Sequence, residues 1–254
     1  MTRILAIANQ KGGVGKTTTG VNLAASLAAA HRRVLLVDLD PQGNATMGSG
    51  VDKRALTRSV YHVMVGLAEP VAVRVRSERG GYDMLPSNRE LAGAEVELVN
   101  MDRRELRLKE ALAPLATEYD FILIDCPPAL SLLTVNAFAA AQSVMIPMQC
   151  EYYALEGLSD LVNTIKRVRA HLNPDLEIEG LLRTMFDPRN TLAQQVSAQL
   201  MQHFGDKVYR TVIPRNVRLA EAPSYGIPVI EFDRASKGAQ AYLALAGEML
   251  NRGA

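Results

Sequence analysis

Asn9-Gln10-Lys11-Gly12-Gly13-Val14-Gly15-Lys16-Thr17-Thr18 decides how the rest of the chain is read. It follows the apolar run Ile4-Leu5-Ala6-Ile7-Ala8 and opens onto an alanine- and leucine-rich segment, so the order is strand, glycine loop, helix N-terminus. In that order the backbone N–H groups of Gly12, Gly13, Val14 and Gly15 can turn inward around an anion. Lys16 supplies a point charge for the β and γ phosphates of a nucleotide, and the helix that starts near Thr17 and Thr18 adds its positive dipole end. The Thr17 hydroxyl is then the natural ligand for Mg2+.

The loop departs from the usual G-x-x-x-x-G-K-[ST] spacing. The position of the first glycine is Gln10, and beside it stands a second lysine, Lys11. Two ammonium groups in one short loop repel unless each has its own anion. Lys11 is then either a solvated surface lysine or, as is expected here, the group that reaches a phosphate held by a second copy of the chain. Lys-Gly-Gly-Val-Gly-Lys-Thr-Thr resembles the deviant Walker A loop of the ParA/MinD ATPases, in which that extra lysine is a signature.

At 254 residues the chain has the length for one large α/β domain, and nothing in it reads as a linker, so residues 1–254 are expected to form one unit. Apolar residues at 48% and charged residues at 22% are ordinary for a globular protein, and a net charge of +1 argues against a generally basic nucleic-acid coat. Met1-Thr2-Arg3 runs straight into the first predicted strand, so no signal peptide is expected, and no apolar run approaches a membrane span. Cys126 and Cys150 end apolar runs without metal-ligand spacing and read as buried free thiols; the cluster cysteines of iron–sulphur relatives are missing. A cytosolic protein is expected.

Val34-Leu35-Leu36-Val37-Asp38 and Phe121-Ile122-Leu123-Ile124-Asp125 are continuous apolar runs ending in an acid, the pattern of parallel strands buried on both faces. Carboxylates at such strand ends lie where open α/β sheets bind ligands. Asp125 reads as the Walker B acid of the Mg2+ site. Asp40, two residues beyond Asp38 and able to face the same way, reads as the group that positions water, with a share in the metal site. Strands are also predicted over 71–75, 82–85, 143–148, 180–185 and 208–213. Helices are predicted over 17–30, 56–65, 88–100, 102–116, 131–142, 155–170 and 191–204. Repeated β-α units predict a doubly wound, mostly parallel sheet with helices on both faces, a phosphate-loop NTPase fold.

Two later segments, Met185-Phe186-Asp187-Pro188-Arg189-Asn190 and residues 213–224, resemble the short chromosomal ParA (Soj-type) partition proteins. The resemblance implies an adenine pocket at Pro214, Arg215 and Asn216, with Met185 packing on the base, and non-specific DNA contacts from Arg189 and Arg218. Between residues 183 and 218 the basic side chains are Arg183, Arg189, Lys207, Arg210, Arg215 and Arg218 against Asp187 and Asp206, a local excess of four positive charges. The resemblance further implies an ATP- and Mg2+-dependent ATPase that binds double-stranded DNA as an ATP-bound homodimer on the nucleoid. Lys11, Lys16 and Asp40 would be its catalytic residues, and a ParB/Spo0J-type centromere-binding protein would stimulate hydrolysis. The competing expectation is a membrane-switched ATPase of the MinD kind, which ends in a basic amphipathic helix. The tail over 239–250 contains no lysine, so its apolar stripe is expected to pack on the sheet. A metabolic amide-forming or carboxylating enzyme of the same fold would need a further substrate constellation, and the sequence offers none.

Overall fold

The computed structural model describes residues 2–252. β1 (Arg3–Ile7) leads through the glycine loop into α1 (Lys16–Ala29), and β2 (Val34–Asp38) follows. Short helices α2 (Asn44–Gly48), α3 (Val60–Met64) and α4 (Pro70–Val73) precede β3 (Val75–Ser77) and β4 (Tyr82–Leu85). Next come α5 (Leu91–Leu98), α6 (Arg107–Leu112), β5 (Phe121–Asp125), α7 (Leu132–Ala140) and β6 (Ser143–Gln149). The chain continues through α8 (Ala154–His171), β7 (Glu177–Phe186), α9 (Thr191–Phe204) and β8 (Val208–Pro214), then α10 (Val217–Glu221), α11 (Val229–Phe232) and α12 (Lys237–Arg252).

The strands form one sheet in the order β3-β4-β2-β5-β1-β6-β7-β8, with β3 antiparallel to β4 and the other pairings parallel. Side chains alternate across it. Leu5 and Ile7 of β1 enter one core with α1 and α12, while Ala6 and the following Ala8 enter the other with α5, α7 and α8. Apolar cores on both faces explain why β2 and β5 read as unbroken apolar runs. The doubly wound sheet expected from the sequence is what the structure contains.

The strand expected over 71–75 is a correction. Pro70 sits in the first turn of α4, where its missing N–H is an orphan in any helix, and only Val75 continues into β3. The helices expected over 88–100 and 102–116 are shorter, at Leu91–Leu98 and Arg107–Leu112. The tail helix lays Tyr242, Leu245, Ala246 and Met249 into the core with α1, and the Tyr242 hydroxyl lies 3.1 Å from Thr19 Oγ1. Among the described residues no helix is long and apolar enough to cross a membrane.

Candidate functional site

β1, β2 and β5 end side by side, Ile7 against Asp125 and Asp38 against Asp125, so everything leaving those strands converges on one edge of the sheet. The glycine loop is fastened there from both flanks. Asn9 donates its side-chain amide to the Pro147 carbonyl at 2.8 Å, and its Oδ1 accepts the Lys11 N–H at 3.0 Å. Thr184 Oγ1 donates to the Val14 carbonyl at 2.8 Å. Gly13 and Gly15 carry φ of 75° and 88°, a left-handed backbone that side chains disfavour, and this turns the loop into α1.

Lys16 is only 7% exposed and donates Nζ to the Lys11 carbonyl at 3.1 Å. Burial lowers its pKa, and Asp125 beside it works in the opposite sense. Asp125 is fully buried, and neither carboxylate oxygen has a hydrogen-bond partner of normal geometry, although the Thr17 hydroxyl is near enough to favour its ionised form. Burial, and then the facing Asp38 carboxylate, push its pKa well above the ordinary range. An orphaned buried carboxylate is costly unless a cation completes it. The donor types gathered here, a Thr17 hydroxyl with the Asp125 and Asp40 carboxylates, are hard oxygens suited to Mg2+, which takes one or two carboxylates together with water and phosphate oxygens.

Asp38 and Asp40 do not act as a matched pair. Asp38 is fully buried and accepts from both N and Oγ1 of Thr46, at 2.8 and 2.6 Å; burial raises its pKa to about 6 despite these bonds. It anchors α2 to the end of β2. Asp40 stays half-buried, and its Oδ1 accepts the Gln42 N–H at 2.9 Å. Lys11 is paired, through its ammonium, with Glu151 of its own chain.

Next to the loop is a cavity of about 290 Å³ whose wall includes Gly15, Thr18, Met185, Pro214, Arg215 and Asn216. The four residues expected to surround a base are thus brought together. Met185 has a φ of 48° at a register break between β7 and β8, a conformation that a side-chain-bearing residue adopts under constraint. Asn216 Oδ1 is buried without a partner. Sequence reasoning missed Gly238 of α12: a Cβ there would lie 2.6 Å from Leu219 Cγ and 2.9 Å from Asn216 Oδ1, so glycine is what lets this helix close on the cavity wall. It also missed Asn9 and Thr184, whose roles depend on strands far along the chain.

The arginines divide. Arg189, with its side chain 89% exposed, and Arg218 follow the ends of β7 and β8 on the glycine-loop side, as does exposed Arg215. Arg189 binds both carboxylate oxygens of Asp187 and holds that acid down to about 2; Arg218 pairs with Glu221 and Asp233. The local charge count needs correcting. Arg183 is buried at 8% exposure, donating to Ser197 Oγ and the Tyr209 carbonyl. Lys207 and Arg210 line an open cleft of about 1190 Å³ near the opposite ends of β7 and β8, where acids match them.

The AAA_31 family model, described as an AAA domain, matches residues 2–178. The sporulation initiation inhibitor protein Soj of Bacillus subtilis is 55% identical over 100% of this chain and 100% of its own. The chromosome partitioning protein ParA of Myxococcus xanthus is 54% identical over 98% of this chain and 88% of its own. A solved structure titled cobyrinic acid a,c-diamide synthase, from Mycobacterium smegmatis with a bound ATP analog and magnesium, is 42% identical. It superposes with a TM-score of 0.88, covering 100% of this chain and 96% of that one.

Proposed function

The chain belongs to the ParA/Soj family of chromosome-partitioning ATPases, and from that membership we propose that it is an ATP-driven switch for DNA segregation. The observation that carries this reading is a convergence at one sheet edge. The glycine loop, the unpartnered Asp125 carboxylate and the cavity walled by Met185, Pro214, Arg215 and Asn216 adjoin one another.

ATP lays its phosphates in the loop against Lys16 and its base in the cavity. There the free Asn216 Oδ1 can accept from the adenine amino group. Thr17, Asp125 and Asp40 are the residues that would hold Mg2+, whose contribution when bound is to neutralise phosphate charge. The ATP analog and magnesium in the Mycobacterium smegmatis structure support this pairing. Lys11 exchanges Glu151 for a phosphate bound by a second copy, so that two protomers enclose two nucleotides. Asp40 orients the attacking water.

The dimer presents Arg189 and Arg218 twice, and joining two weak patches raises the effective concentration of the second contact. Hydrolysis separates the protomers and releases double-stranded DNA, with a ParB-type centromere-binding partner as the stimulator. The apolar stripe of α12 is already spent on the core, which speaks against lipid as its target.

Size-exclusion chromatography with ATP, followed by binding to a non-specific duplex, tests the reading. Wild type should elute as a dimer that binds DNA, Lys11→Ala as a monomer that does not, and Asp40→Ala as a persistent DNA-bound dimer. A monomeric wild type, or a dimeric Lys11→Ala, overturns it.

A further inference from the structure

We infer that Ser87, in the loop after β4, is a positioning residue for Asp40. This rests on the reading of Asp40 as the group that orients the attacking water. Ser87 is fully buried and lies 47 positions away in sequence, yet its Oγ donates to the Asp40 carbonyl at 2.8 Å. The bond closes a circuit. Asp38 accepts the Thr46 hydroxyl proton, which leaves Thr46 Oγ1 free to accept the Ser87 N–H at 2.8 Å, and Ser87 then returns to Asp40. Each hydroxyl in the circuit has its proton committed to one acceptor, so neither can rotate without breaking a buried bond.

The Asp40 carbonyl also accepts the Gly43 N–H at 2.9 Å, and the Asp38 carboxylate accepts the Asp40 N–H at 3.2 Å. The peptide groups on both sides of the Asp40 Cα are thereby fixed, while its carboxylate meets only the Gln42 N–H of its own turn. The approach of the two loops is close. A Cβ on Gly43, whose φ is 61°, would lie 2.7 Å from the Ser87 carbonyl oxygen. Ser87 thus spends its one proton on the residue proposed to face the γ-phosphate, fixing the direction from which that carboxylate projects.

Steady-state and single-turnover ATP hydrolysis by Ser87→Ala, with Asp40→Ala in parallel, tests this. Loss of one hydrogen bond that aims a water-orienting group should lower kcat about five- to tenfold. KM for ATP and the ATP-dependent dimer should stay at wild-type values. Ser87→Cys, with a weaker donor of similar size, should fall between the two. Wild-type kcat in Ser87→Ala, with Asp40→Ala inactive, overturns the role of Ser87 alone. A parallel loss of kcat, ATP affinity and dimer, or a collapsed melting transition, assigns Ser87 to the fold and also overturns it. Wild-type hydrolysis by Asp40→Ala overturns the reading of Asp40 and this inference with it.

Discussion

The Lys11 ammonium is held by the Glu151 carboxylate of the same chain, an ion pair in which both side chains are about half exposed, 46% and 51%. An exposed pair contributes at most about 1 kcal/mol, so it can be exchanged for a better anion at little cost. Glu151→Gln removes the competitor without adding bulk. It should lower the ATP concentration that half-saturates dimer formation, by up to about fivefold, measured by analytical ultracentrifugation across an ATP series. A rise in that concentration would mean that Glu151 is used inside the dimer rather than displaced from it.

The arginine surface predicts a salt dependence. Arg189 and Arg218 are at the nucleotide end of the sheet, and each shares its charge with neighbouring acids. Four such side chains per dimer, each neutralising a phosphate, should weaken duplex binding roughly a hundredfold between about 50 and 200 mM salt. Anisotropy titrations in ATP measure it, and Arg189→Ala and Arg218→Ala should each reduce both the affinity and the slope. Binding that ignores salt, or survives both substitutions, would rule this surface out.

Glu248 of α12 accepts the backbone N–H groups of Arg210 and Thr211, each at 2.8 Å, and also pairs with Arg252. Burial works against ionisation, but those donors outweigh it and hold the Glu248 pKa below its usual value. A carboxylate with a depressed folded pKa stabilises the fold above its unfolded pKa, near about 4.3, and loses that contribution as pH falls through the folded value. Thermal melts of wild type and Glu248→Gln should differ by about 1–3 kcal/mol at pH 7, with the gap closing below about pH 4. A gap that does not change with pH would deny the carboxylate this role.

Which parts of the site could be seen in the sequence follows from the range of the interactions involved. The glycine loop, Asp38 and Asp125 were legible because parallel strands buried on both faces write continuous apolar runs, and these end together at one edge of the sheet. Residues 71–75 misled because valines favour strands, while the turn is set by Pro70. Arg183 misled in another way. A strand arginine reads as surface charge, and its burial depends on Ser197 and the Tyr209 carbonyl, which local pattern cannot reveal. Thr184 meets Val14 across 170 positions, and Ser87 meets Asp40 across 47. The cavity segments at 185 and 214–216 carried no periodic signal and were placed by family resemblance alone.

Gly238 ties the tail helix to the cavity proposed to take the base, and a methyl group there is a sensitive probe of it. The added Cβ would press on Leu219 Cγ at 2.6 Å and on Asn216 Oδ1 at 2.9 Å, both well inside ordinary contact. Leu219 and Asn216 both line the cavity, so relief of the clash must reshape that side of its wall, whereas Asn9 and Thr184, which hold the phosphate loop, are not among the atoms nearest the added Cβ. Overpacking of this kind costs about 1–3 kcal/mol. Gly238→Ala should therefore weaken ATP binding by roughly ten- to a hundredfold, read by titration with a fluorescent ATP analogue. Binding of inorganic triphosphate, which has no base, should change less than twofold. Equal losses for both ligands would show that the methyl group disturbs α1 and the loop rather than the base cavity.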